Sequence, residues 1–163
     1  YNGILAWIEE NKPDTSELRN HDVTDFCYRA FDFIRESLKD GHLATRMGNA
    51  YLYLQEKLDE STFVEQRPCG LIVRKTQGQK VNHLYRDGIA IITYDEKYKT
   101  IRISTANPIP NLSCRRLAQD WWGDRAGGHD QIAGSAKGQI MSKNQFKECT
   151  ERFIRELITN LPS

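Results

Sequence analysis

The sequence predicts an α/β fold, a mixed β-sheet flanked by helices and preceded by a helical lead-in, and three observations carry that reading. Short β-rich runs cluster after Pro68, apolar residues at three/four spacing mark helices before it, and a capped amphipathic segment closes the chain. At 163 residues the chain suits one compact domain plus a helical extension, and two full domains are unexpected.

From Val23 the apolar residues Phe26, Cys27, Ala30, Phe31, Ile34 and Leu38 fall on one helical stripe that ends before Gly41, with Asn20 or Asp22 available to cap its start. Met47, Ala50, Tyr51, Leu54 and Leu58 repeat the pattern, so a helix pair is expected. Beyond Pro68 the runs at 71–73, 89–94 and 101–105 are short, β-rich and separated by turn-like polar segments, as strands are, and the last two form a hairpin over 95–99. Ile101 and Ile103 then share one face, Arg102 and Ser104 the other. Residues 77–87 read as an exposed connection. Pro110 and Asn111 open a helix that carries Cys114, Leu117, Ala118 and Trp121 inward and stops at Gly123. Residues 132–140 read as a glycine-rich strand, and Ser142 with Gln145 forms a capping box ahead of the last helix.

Lys and Arg total 23 against 22 for Asp and Glu, so the net charge of +1 supplies no whole-molecule field for a polyanion. Any anionic ligand must be met by a local patch. The four cysteines form no CxxC pair, which argues against a zinc site or a disulfide framework; Cys27, Cys114 and Cys149 sit on apolar stripes, as reduced thiols in a cytoplasmic protein would. No apolar run is long enough to span a bilayer. The chain starts at Tyr1 without methionine, which hints at a longer parent.

The chemistry concentrates at Gly127, Gly128 and His129, followed by the small-residue run Ala133-Gly134-Ser135-Ala136. Adjacent glycines let the backbone bend where a side chain would clash, and their N–H groups can form an anion-binding concavity. His129 adds a hydrogen bond or a titratable charge. Taken alone, the glycine pair reads first as a helix stop; its surroundings favour the phosphate cradle.

The order of strand, helix, Gly-Gly-His and small-residue strand, read in Ala126-Gly127-Gly128-His129-Asp130-Gln131-Ile132-Ala133-Gly134, resembles the DHH-associated domain, the C-terminal half of the DHH phosphoesterase family. The likeness covers roughly residues 67–163, and residues 1–66 then resemble the helical connector from a catalytic half that this chain lacks. It implies cleavage of phosphoester bonds in nucleotides or short oligonucleotides, with Gly127, Gly128 and His129 gripping a phosphate. It also implies that two manganese ions belong to the absent N-terminal DHH catalytic domain, since no Asp-His-His triplet occurs here and His21, His42, His83 and His129 are scattered. Two departures stand out. Ala126 replaces a usual glycine, and Ser104 stands about where the family carries a phosphate-binding arginine, a loss for which Arg102, Arg115, Arg116 or Arg125 would compensate.

Arg125, two residues before Gly127, is an even choice between phosphate ligand and solvated side chain; Arg115 and Arg116 lean towards a solvated helix face. Of the two adjacent indoles, Trp122 is the better candidate to stack a base and Trp121 the better core residue. Lys80, His83 and Arg86 read as a charged turn, His21 and His42 as helix-end residues, and Asp130 as a weak partner for His129. Competing with the phosphoesterase reading are a non-catalytic RNA-binding module, related to the C-terminal domain of alanyl-tRNA synthetase, and a homodimerisation element.

Overall fold

The computed structural model describes residues 1–13 and 20–161, and from the second helix the side chains from residue 23 onward. The caps expected from Asn20 or Asp22, and the helix-end role of His21, lie outside the described residues. The chain divides into two compact units, Tyr1–Leu58 and Asp59–Ser163.

The first unit is helical. It contains α1 (Asn2–Asn11), α2 (Asn20–Lys39) and most of α3 (His42–Thr62). α2 and α3 fall where the apolar spacing puts them, and α1 is an additional helix. The Trp7 ring of α1 stacks on Phe26 and Phe33 of α2 with centroids 5.7 and 5.5 Å apart. α1 meets α3 backbone to backbone, because a Cβ on Gly3 would lie 2.1 Å from the Ala44 carbonyl oxygen. The expected single stripe of α2 is split. Phe26, Ala30 and Ile34 are half-buried, whereas Cys27, Phe31 (70% exposed) and Leu38 (85% exposed) face away. Cys27 is therefore no core thiol.

The second unit is the α/β domain. Its strands are β1 (Phe63–Arg67), β2 (Leu71–Thr76), β3 (Ala90–Asp95), β4 (Thr100–Thr105), β5 (Gly127–His129) and β6 (Ile132–Gly134), with helices α4 (Cys114–Trp122) and α5 (Lys143–Asn160). They form a six-stranded sheet in the order β1-β2-β3-β4-β6-β5. Only β2 and β3 run parallel.

Register separates the two faces of the sheet. Val73, Ile92, Ile103 and Ala133 lie opposite one another across β2, β3, β4 and β6, and all four belong to the core shared with α4 and α5. Side chains alternate along a strand, so the neighbouring row faces the other way. That row reads Arg74, Thr93, Arg102, Gly134 and Gly127.

Several sequence expectations shift here. α4 starts at Cys114 with Ser113 as its cap, since Asn111 has φ 62° and lies in the preceding turn. Trp122 is the core indole at 7% exposure; Trp121 is half-buried at the helix margin, with Arg152 over its ring. The expected strand over 132–140 stops at Gly134 because residues 135–141 turn, with Gly138 at φ 81°. The connection at 77–89 buries Val81 at 1% exposure. The capping box of Ser142 and Gln145 opens α5 as expected.

Candidate functional site

Gly127, Gly128 and His129 form no bend. They are the edge strand β5, hydrogen-bonded to β6, while α4 ends at Gly123 (φ 89°), its C-cap, where the sequence predicts the helix stop. Gly128 still has to be glycine: its φ is 150°, and a Cβ there would lie 2.3 Å from the Ile132 carbonyl oxygen. Ala126 is buried at 3% exposure and belongs to the core.

The short strand is held by the start of α4. Arg115 Nε donates to the Gly128 carbonyl at 2.8 Å, the Cys114 amide donates to the Asp130 carbonyl at 2.7 Å, and the Ser113 hydroxyl donates to an Asp130 carboxylate oxygen at 2.7 Å. Asp130 is thus bonded to Ser113, not to His129. Arg115 is structural here, and Arg116 lies exposed on the helix.

Beside β5 opens a cavity of about 540 Å³ lined by Gly127, Gly128, His129, Arg102, Arg125 and Lys137, among others. No carboxylate lines it. Among the described residues none of the three cations has an ion-pair partner. The row register explains the opening: Arg102 stands opposite Gly134, and Gly134 opposite Gly127, so the row continues outward from Arg102 through two residues without side chains. An anion entering there meets cations above a backbone floor.

Ser104 is not part of this lining. It is buried at 1% exposure, and no hydrogen bond of good geometry reaches its hydroxyl, although the Tyr85 phenol lies near enough to feel it. Burial pushes that phenol up and Ser104 draws it back. Lys137 is the cavity residue that sequence reasoning missed; its only sequence signal was a lysine beside Gly138 after the small-residue run. Arg86 is exposed, as a charged turn residue would be, and it also pairs with Asp59 and covers the Phe63 ring at 3.8 Å.

Among the described residues, no three His, Cys, Asp or Glu side chains gather as a metal site requires. Nor is any described helix long and apolar enough to cross a membrane.

No protein-family model matches the sequence, and no curated protein matches it significantly. Solved structures do. The pGpG-specific phosphodiesterase PggH of Vibrio cholerae superposes with a TM-score of 0.54 at 11% identity, over 89% of this chain and 54% of PggH. The chain shares its fold with part of PggH. RecJ of Thermus thermophilus, solved with Mg2+, gives a TM-score of 0.49 at 18% identity, over 73% of this chain and 20% of RecJ. An exopolyphosphatase-related protein of Bacteroides fragilis gives 0.42 at 13% identity, over 79% of this chain and 44% of that one. The chain thus spans about half the length of PggH and a fifth of RecJ.

Proposed function

We propose that this chain is the substrate-binding portion of a DHH-type phosphoesterase, and that the cavity beside β5 grips the phosphate of a nucleotide or short oligonucleotide. The observation that carries this reading is the set of three cations, Arg102, Arg125 and Lys137, without ion-pair partners among the described residues, around one cavity whose lining includes no carboxylate. Unpaired cations at one opening cost self-repulsion, which a bound anion relieves. Arg102 lies two residues before Ser104 on β4, hence on the same face one strand repeat away, and takes the phosphate-binding role for which Ser104 is unfit. Bond cleavage belongs to a separate catalytic half that carries the manganese ions; this chain supplies binding and orientation.

The test is calorimetric titration of a 5′-phosphorylated dinucleotide and its dephosphorylated counterpart. We expect the phosphorylated form to bind at least about tenfold more tightly, and Arg102→Ala or Arg125→Ala to remove most of that preference. Equal affinity for both forms would refute the reading, and so would turnover of the dinucleotide by this chain alone with manganese. A long RNA bound with a steep salt slope would favour the RNA-binding module instead.

A further inference from the structure

At the opposite end of the strand order from β5, a second groove of about 600 Å³ runs between the edge strand β1 and the start of α5. Its lining includes the apolar residues Val64, Val73 and Phe146, of which Val73 and Phe146 are largely covered, and the lysines Lys75, Lys143 and Lys147. Lys75 is next to Thr76, whose carbonyl accepts from the Glu96 amide, and Lys143 lies beside Glu96, which puts two of these lysines at one end. Val64 is the bulge residue of β1 and is 44% exposed, so apolar surface remains open there. We propose that this groove is a docking site for an extended acidic peptide segment of a partner protein, with alternate apolar residues against the apolar lining and carboxylates at the lysines.

Charge selects an acidic occupant. Lys143 is the first residue of α5 and Lys147 follows one turn later, with no acidic residue in that first turn. Cations at the positive end of a helix are unfavourable unless an anion offsets them. Lys143 lies 3.5 Å from Glu96, but among the described residues Lys75 and Lys147 have no ion-pair partner. The other end of the groove carries a net negative charge, because Arg67 bonds both Glu65 and Glu151, at 3.3 and 2.7 Å, and one guanidinium offsets only one of the two carboxylates. Carboxylates of an incoming segment are therefore directed to the lysine end. The net positive end is local and lies beside the apolar lining.

Shape selects an extended chain over a compact ion. From Lys143 to Glu151, α5 advances about 12 Å, which about four residues of extended peptide would cover. β1 pairs only with β2, and among the described residues no backbone bond reaches its outer side. A peptide lying in the groove can reach those unpaired groups, whereas a small anion cannot. The bulge at Val64 limits such pairing to the stretch from Glu65 onward. Lysine contacts and burial of the apolar lining must supply the remaining affinity.

The experiment is fluorescence anisotropy with a labelled hexapeptide that alternates glutamate and leucine, titrated with the chain. We expect saturable binding, weakened at least about tenfold in the K75E/K147E double variant and unchanged in R102A, which separates this groove from the phosphate cavity. Lys75 and Lys147 are exposed, so the double variant should keep its circular dichroism spectrum and melting temperature. The proposal is overturned by absence of saturation up to about 1 mM, by equal affinity for a glutamate–glycine control, or by full retention of binding in the double variant. Displacement of the peptide from this groove by inorganic phosphate alone would also overturn it, since a bare anion site would then be sufficient.

Discussion

Arg115 Nε donates to the Gly128 carbonyl across 2.8 Å, which ties the second residue of α4 to the middle of the edge strand β5. Ser113 and Cys114 bond Asp130 in the tight turn that follows. Three consecutive residues at the helix start thus fix a hairpin that has only three residues per strand and two glycines in β5. Glycine backbone is costly to order, so the hairpin depends on this support. The cavity wall is in effect an extension of α4.

Arg115→Ala removes one charge-assisted bond from an exposed setting, a loss of about 0.5–1.5 kcal/mol in the order of the hairpin. Binding of the phosphorylated dinucleotide should fall about twofold to tenfold, with faster amide exchange at Gly128 and His129 and little change in melting temperature. Unaltered exchange in β5 would show that the bond does not hold the strand. Arg115→Lys should recover only part of the effect, because a lysine lacks the fixed geometry of the guanidinium.

The two glycines of β5 should behave differently. Gly128→Ala forces a Cβ to within 2.3 Å of a carbonyl oxygen at a φ of 150°, and should destabilise the chain by about 2 kcal/mol or more. Gly127→Ala meets nothing within 4 Å and should stay within about 0.5 kcal/mol of the parent. Urea denaturation of the two variants decides this. Equal stability losses would mean that the register of β5 is wrong.

The strands at 71–76, 90–95 and 100–105 are legible in the sequence because their β-branched apolar runs are short and bounded by polar, turn-like segments. The last helix is legible because its cap uses side chains that name it. Three features stay hidden for physical reasons. β1 reads Phe-Val-Glu-Gln-Arg, an edge strand with a half-exposed burial pattern and no clean alternation. The glycine pair reads as a bend, because glycine permits unusual φ without saying whether a turn or a crowded strand needs it. Arg102 is visible as a candidate, but its place beside Gly134 and Gly127 depends on the pairing of β4, β6 and β5. No local pattern encodes that register.

Thiol reactivity separates the cysteines. Burial pushes the Cys114 thiol up to about 12, with the Asp130 charge adding to it, and burial also raises Cys149 and Cys69. Cys27 lies exposed on α2. Near pH 8, a disulfide reagent followed by mass spectrometry should label Cys27 first, Cys69 more slowly, and Cys114 and Cys149 only after unfolding. Rapid labelling of Cys114 in the folded protein would contradict the packing of α4 on the sheet.

Arg74 is fully buried and is held by the Asp59 carboxylate, the Thr62 hydroxyl at 3.0 Å and the Leu84 carbonyl, while Arg86 grips the other carboxylate oxygen of Asp59 at 2.8 Å. Burial alone would push the Asp59 carboxyl up, but hydrogen bonds and charge from Arg86 and Arg74 outweigh it and leave it below the usual 3.8. A carboxyl lowered on folding adds stability that is complete above 3.8 and is lost as pH falls through its lower folded value. Asp59→Asn should cost about 2–3 kcal/mol at neutral pH, because it leaves a buried guanidinium without its counter-charge. In urea melts from about pH 6 to pH 2, the gap between parent and variant should narrow only below 3.8 as the parent carboxyl protonates. A gap that stayed constant down to acid would mean that the carboxylate charge contributes nothing to holding Arg74.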